Sequence, residues 1–282
     1  MDILTVDYNS KHGGEELALS LHNTGFAVIK NHPIDTSLVE SIYVEWRDFF
    51  NSSYKNQYPY NKKLGDGYVS LQLSEKAKGS TLADLKEFYQ LYFPHGRYPK
   101  QLSDNTLIYF NSIFSFANKL LSWLDLYTPK RITNLFSEPL ASMTSRERTM
   151  LRVLHYPKLI DCHSHNLDSA IRAAAHEDIN LITLLPASTQ TGLQVKTKKN
   201  TWLDVGTNPG EIIINVGDML QECSDYYYVS TTHRVVNPQN TNEERFSMPL
   251  FVHPRSNVFL SKKYNQAEYY LNERLKELGL LD

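Results

Sequence analysis

The spacing of apolar positions changes character near the middle of the chain. Up to about residue 136 most apolar residues recur at helical intervals. From about residue 149 they gather in short runs bounded by turn residues. In the first half, residues 15–23 read as a short helix ended by Gly25. Phe26-Ala27-Val28-Ile29-Lys30 is a compact apolar strand, broken by Pro33. Val39, Ile42, Tyr43, Trp46, Phe49 and Phe50 then fall on one helical face, a stripe that reads as core packing. Ser37-Leu38-Val39-Glu40 has the form of a capping box at its start. Residues 51–68 are polar and tyrosine-rich and read as a loop; residues 71–78 carry no clear pattern. A long helix is predicted over 104–127, with Leu107, Phe110, Phe114, Ala117, Leu121 and Leu124 on its buried face and Asp104 as its cap. A short helix is predicted over 129–136.

In the second half, strands are predicted over 149–156, 180–185, 211–216, 226–236 and 245–253. Gly192-Leu193-Gln194-Val195 and Trp202-Leu203-Asp204-Val205 flank a polar turn and read as a hairpin. An amphipathic helix over 262–278 closes the chain, with Tyr264, Ala267, Leu271, Leu275 and Leu278 on one side. Many short strands separated by turns suggest a sandwich or a jelly roll. Helices first and strands later fit two domains or one α+β unit. We favour one unit over 1–282: a helical N-terminal portion to about 145, a β-dominated core over about 146–260, and a C-terminal helix over 261–282.

Composition narrows the classes. Of 282 residues, 41% are hydrophobic and 21% charged, as in an ordinary soluble globular protein, and the formal net charge is −2. That balance points neither to nucleic acid nor to an anionic membrane. Lys196, Lys198 and Lys199 sit at the predicted hairpin tip and read as solvated. The two cysteines, Cys162 and Cys223, make no disulfide framework and fit a reducing, cytoplasmic setting. The N-terminus shows no signal-peptide pattern and the chain no membrane span.

Candidate chemistry concentrates between residues 176 and 247. In an extended strand, side chains two apart share a face. His176 and Asp178 therefore pair on one face, and Arg245 and Ser247 on another. His233 lies between them on a β-branched strand. Two imidazoles and one carboxylate can bind non-haem Fe(II) and leave coordination positions open. An arginine with a hydroxyl beside it suits an acidic co-substrate. A lone H-x-D is a weak signal; its weight comes from His233 and the Arg245-x-Ser247 pair farther along the chain.

A series of motifs accompanies these residues. After His176-Glu177-Asp178 come Leu181-Ile182-Thr183-Leu184-Leu185, Gly192-Leu193-Gln194-Val195, Trp202, Asn215-Val216-Gly217-Asp218, His233-Arg234-Val235 and Arg245-Phe246-Ser247. The series resembles the core of the non-haem iron(II), 2-oxoglutarate-dependent oxygenases, in the isopenicillin N synthase-like branch. Gly25-Phe26-Ala27-Val28-Ile29-Lys30-Asn31-His32 and Lys86-Glu87-Phe88 are similar to that branch's N-terminal motifs. The resemblance implies a double-stranded β-helix, that is, a jelly roll with N-terminal and flanking helices. It implies His176, Asp178 and His233 as metal ligands, and Arg245, Ser247 and Tyr156 as contacts to 2-oxoglutarate. The implied reaction consumes O2, releases CO2 and succinate, and oxidises a C–H bond of a small-molecule substrate, with ascorbate as a candidate reductant. Leu154 and His155 stand where the family has asparagine and tyrosine, and Pro33 where it has glycine. The loop over 51–68 has no clear counterpart, so the substrate is not carried over.

Three other readings compete. One is an iron oxidase of the isopenicillin N synthase type, which uses no 2-oxoglutarate. Another is a jelly roll that binds or senses a ligand without turnover. The third is a zinc jelly roll, for which no general base can be named. Cys162-His163-Ser164-His165 has spacing that would suit a second metal, but without a matching distant ligand pair it reads rather as a loop histidine pair near the pocket mouth. His155 packs in the core or lines a pocket. Arg152 and Arg172 fit an acidic substrate or surface salt bridges equally well. Cys223 reads as a core residue.

Overall fold

A computed structural model describes residues 2–73, 84–158, 172–206, 208–237, 243–277, Gly279 and Leu281. The Cys162-His163-Ser164-His165 cluster lies outside the described residues. Thirteen strands are described: β1 (Thr5–Asp7), β2 (Phe26–Lys30), β3 (Gly67–Val69), β4 (Glu87–Tyr92), β5 (Met150–Tyr156), β6 (Ala173–His176), β7 (Ile182–Pro186), β8 (Leu193–Lys196), β9 (Trp202–Asp204), β10 (Ile212–Val216), β11 (His233–Val235), β12 (Arg245–Ser247) and β13 (Leu250–Val252). The main helices are α1 (Gly13–Thr24), α2 (Thr36–Asn51), α3 (Asn105–Tyr127), α4 (Lys130–Thr133), α5 (Leu140–Met143), α6 (Asp218–Cys223) and α7 (Ala267–Glu277).

The strands form two sheets. The larger runs β1-β2-β10-β7-β13-β5-β4-β3, with β12 also paired to β5; the smaller runs β6-β11-β8-β9. Four strands of the large sheet come from the N-terminal portion, which is otherwise helical. The pairing is antiparallel except between β1 and β2. This is the two-sheet arrangement of a jelly roll, the double-stranded β-helix.

The large sheet is covered on both faces, which explains its nearly continuous apolar strands. Leu151 and Val153 of β5, Ile182 and Leu184 of β7, Ile212, Ile214 and Val216 of β10, and Phe246 of β12 belong to the core shared with the helices. The alternate residues face inward: Phe26, Val28, Leu185 and Ile213 pack with Ala173, Leu193, Val195 and Val235 of the small sheet. Thr183, Asn215, Arg245 and Ser247 occupy the same alternate positions. They are polar exceptions on an apolar face.

On the outer face, the predicted α2 stripe is buried in full, from Val39 to Phe50. Trp46 is fully buried and donates from Nε1 to Thr106 Oγ1 at 3.0 Å, tying α2 to α3. Gly25 ends α1 at φ 73°, a left-handed conformation that glycine adopts without strain.

Several local expectations need correction. The cap of α2 is Asp35, whose carboxylate accepts from Ser37 N at 2.9 Å, not Ser37 itself. Asp104 makes no side-chain cap at α3; Ser103 Oγ accepts from Asn105 N instead. The loop over 51–68 contains a 3-10 helix at Ser53–Gln57 and runs into β3. The strand expected over 226–236 shrinks to β11. Tyr226 and Tyr227 instead donate their amides to Gln221 and Ser224 carbonyls at the end of α6, with Asp225 and Tyr226 at positive φ. The strand over 245–253 splits around Pro249, which has no amide proton for the ladder. The closing helix starts at Ala267, after Tyr264 rather than before it. No helix among the described residues is long and apolar enough to cross a membrane.

Candidate metal and co-substrate site

His176 ends β6 and faces His233 of β11 across an antiparallel pair. Their ring centroids are 4.4 Å apart. Each ring turns Nδ1 to a backbone carbonyl two residues earlier: His176 to Ala174 O at 2.7 Å, His233 to Thr231 O at 3.1 Å. A neutral imidazole that donates from Nδ1 carries its lone pair on Nε2. Both Nε2 atoms lie 3.8 Å from Asp178 Oδ1.

Asp178 is not on the strand, as alternation alone would place it; β6 stops at His176. Its loop is held by the start of α6, where Asp218 N donates to Asp178 O at 2.7 Å and Gly217 N to Leu181 O at 2.9 Å. Gly217 is required there by contact, since a Cβ would stand 2.1 Å from Asn180 Oδ1 and 2.2 Å from Asn180 O. The Asp178 side chain is buried. Oδ2 accepts from Thr183 Oγ1 at 2.5 Å and Asn215 Nδ2 at 2.8 Å. The histidines thus come from the small sheet, while the large sheet orients the carboxylate.

The donor set fits a transition-metal ion. The facing nitrogen and oxygen atoms are too far apart to hydrogen-bond. Two atoms each about 2.0–2.2 Å from one ion are at most about 4.4 Å apart, so 3.8 Å is a separation that one ion can bridge. Among the described residues these three form the one such cluster of three or more histidine, cysteine or acidic groups. Burial and the neighbouring His233 lower His176 to about 4, against the attraction of Asp178, although 44% of its side chain stays open to solvent. Burial pushes the Asp178 carboxyl up. His233, His176, Asn215 and Thr183 outweigh that effect and keep it below its ordinary value. At neutral pH the site therefore presents an anion and a neutral His176.

Arg245 and Ser247 share the inner face of β12, and both are buried. Arg245 donates from Nε to Gln190 O at 3.0 Å, from Nη1 to Ser247 Oγ at 3.2 Å and from Nη2 to Ser188 Oγ at 2.9 Å. Among the described residues three of its five N–H bonds are engaged by neutral acceptors, which leaves one on each terminal nitrogen. Tyr156 is the cross-strand partner of Arg245, and its ring centroid lies 5.0 Å from Arg245 Cζ. A cavity of about 410 Å³ reaches Arg245 between Leu185, Ser188, Ile213 and Tyr43; the triad does not line it.

His155 is buried on the opposite face of β5 and lines no part of that inner site. Its Nδ1 meets Glu87 Oε1 at 2.7 Å and its Nε2 meets Glu244 Oε2 at 3.2 Å. Glu87 also binds Lys55 Nζ at 3.0 Å and the Tyr68 hydroxyl, and Glu244 binds Arg47 Nε at 2.7 Å. Arg172 is only 1% exposed, so it is not the surface residue that the salt-bridge reading supposed. Cys223 is buried, as expected.

Sequence reasoning missed Thr183 and Asn215. The signal was present: each is a polar residue within an apolar strand, at an alternation position that faces the site.

A jelly roll whose sheets bring two imidazoles and a carboxylate together, with a buried arginine on a facing strand, defines a class of metal-dependent enzymes. The model of the 2OG-Fe(II) oxygenase superfamily matches residues 148–254. That of the non-haem dioxygenase in morphine synthesis N-terminal region matches residues 5–109. Jasmonate-induced oxygenase 3 of Arabidopsis thaliana is 30% identical over 261 residues, covering 86% of this chain and 67% of the relative. Against jasmonate-induced oxygenases 2 and 1 the chain spans 62% and 65% of the relative. A crystal structure of an oxygenase from Shewanella oneidensis superposes with a TM-score of 0.88 at 46% identity, covering 100% of both chains. A 2OG-Fe(II) oxygenase family protein from Caulobacter crescentus superposes with a TM-score of 0.80 at 27% identity, covering 98% of this chain and 99% of that one. The chain belongs to the 2OG-Fe(II) oxygenase superfamily, whose members use Fe(II), 2-oxoglutarate and O2.

Proposed function

We propose that this chain is an Fe(II)-dependent oxygenase that couples decarboxylation of 2-oxoglutarate to oxidation of a small organic molecule. His176, Asp178 and His233 hold the metal. Arg245 and Ser247 hold the distal carboxylate of the co-substrate, and Tyr156 contacts the co-substrate. The reading rests most on one observation: two imidazole Nε2 atoms, each freed by an Nδ1 bond to the backbone, face one carboxylate oxygen at 3.8 Å.

A ferrous ion, when bound, supplies O2 activation and the oxidising power for attack on a C–H bond. The protein's own groups do the rest. Thr183 and Asn215 hold the Asp178 side chain in one orientation, as supporting contacts around a metal do. The Arg245 fork offers its two remaining donors to a carboxylate, and the Ser247 hydroxyl, having accepted from Arg245, has its own proton to donate. Apolar inner-face residues such as Leu185 and Ile213 keep water from the buried charges. Neither net charge nor patterning supports a nucleic-acid partner, and low cysteine usage supports a reducing, cytoplasmic setting.

The test is anaerobic addition of 2-oxoglutarate to the Fe(II)-loaded protein, and then of O2. A visible charge-transfer band and succinate release that depend on 2-oxoglutarate are expected. O2 uptake indifferent to 2-oxoglutarate would contradict the proposal and favour the isopenicillin N synthase type of chemistry. Binding with no succinate under any condition would favour a sensor.

A further inference from the structure

Arg172 is the second guanidinium buried at this site, and nothing in the proposed reaction uses it. It immediately precedes β6, whose pairing with β11 shifts register between Ala173 and His176, so its place at the site is set by its contacts and not by strand alternation. Its Nη2 donates to Glu243 O at 2.6 Å, while Nε and Nη1 are buried without a partner among the described residues. Its Cζ lies 5.8 Å from the centroid of the Tyr156 ring, the ring that also stands against Arg245. Glu243 supplies only its carbonyl, since its carboxylate is turned to Gln190 Nε2 at 2.5 Å.

Charge decides what this group is for. A ferrous ion and Arg245 bring three positive charges; Asp178 and 2-oxoglutarate bring three negative ones. The loaded site is then neutral without Arg172. Burial and the nearby Arg245 lower Arg172 to about 10, which leaves it cationic at neutral pH. An uncompensated buried cation with idle donors is costly. A fork of this shape is matched best by a carboxylate.

We propose that Arg172 is a specificity-determining residue that binds a carboxylate group of the prime substrate, so that the enzyme oxidises an organic acid. This rests on the oxygenase reading for its context, but its test is separable. Hexanoate and benzoate, with hexanamide and benzamide as neutral counterparts, are titrated by calorimetry into the wild type and Arg172→Gln. The titrations are made on the metal-free protein and on the anaerobic Fe(II)–2-oxoglutarate complex, and the 2-oxoglutarate Kd is measured alongside.

The wild-type complex is expected to bind at least one carboxylate tenfold or more tighter than its amide. Arg172→Gln is expected to erase that preference while the 2-oxoglutarate Kd moves less than threefold. Arg172→Lys, which keeps the charge but not the fork, is expected to retain part of the preference, and it decides the matter if the glutamine variant does not fold. Equal binding of acids and amides by the wild type overturns the proposal. So does a preference that survives in Arg172→Gln, or a 2-oxoglutarate affinity that falls as far as that of the acids. If 2-oxoglutarate fails to bind the wild type, the oxygenase reading falls, and the metal-free titrations still decide the role of Arg172.

Discussion

Asp178 is held in one orientation by its neighbours. One oxygen is committed to Thr183 and Asn215, so the other is presented to the two histidines. Removing a supporting contact should therefore weaken metal binding without removing a ligand. Thr183→Val and Asn215→Leu are each expected to raise the Fe(II) Kd by about 10–100-fold, measured by anaerobic titration. An unchanged Kd in both would show that the carboxylate needs no such support. Arg245→Ala should act on the other half of the site. Hydrogen bonds to a charged group are worth about 1.5–3 kcal/mol, so the 2-oxoglutarate Kd should rise roughly 10–100-fold with iron binding intact. A normal affinity there would mean that the arginine serves something else. At this scale the sequence was informative where chemistry is rare. Histidine, aspartate and arginine at 176, 178, 233 and 245 stand out from an apolar background. Arg172 was legible only as one of two arginines, with an acidic substrate or a surface salt bridge equally open to it, because its burial is decided by chain segments far away in sequence.

Among the elements, the stripes that face one continuous core were the most legible. The α2 stripe was read residue for residue, because six apolar positions at helical spacing leave no other face to bury. Trp46→Ala should cost about 3–5 kcal/mol, read by urea denaturation; a loss under about 1 kcal/mol would place the residue outside the core. Strand lengths in the second half were less legible. Around 226–236 a β-branched, tyrosine-rich run looks extended, yet the helix end before it claims the first amides. That competition is tertiary and leaves no local trace. Gly217 links the element scale to the site. Gly217→Ala forces the 178–181 segment to move, so both Fe(II) affinity and thermal midpoint should fall. Retention of both would show that the segment adjusts without disturbing Asp178.

Across the whole molecule, the two faces of the large sheet divide the labour. The outer face packs helices and carries the Glu87–His155–Glu244 network; the inner face carries the site. Burial raises the Glu87 carboxyl. Its bonds to His155, Tyr68 and Lys55 outweigh that, and the group ends below its ordinary value of 4.5. A carboxylate depressed in the folded state stabilises the fold above the unfolded pKa and loses that contribution as pH falls through the folded value. Glu87→Gln should therefore cost about 3 kcal/mol at pH 7, and its gap from the wild type should narrow below about pH 4.5. A gap independent of pH would show that the charge of Glu87 contributes nothing. The two-sheet architecture itself was legible from pattern and resemblance together. Of the four strands that the N-terminal portion adds to the large sheet, β2 was read at its observed bounds, whereas β1, β3 and β4 were not, because short strands among helices leave little periodicity to read.

The most direct measurement is anomalous scattering at the iron edge from crystals grown anaerobically with Fe(II). One peak is expected, within bonding distance of His176 Nε2, His233 Nε2 and Asp178 Oδ1. Iron bound elsewhere, or bound without any one of those three atoms, would contradict the assignment of the metal site and the function proposed from it.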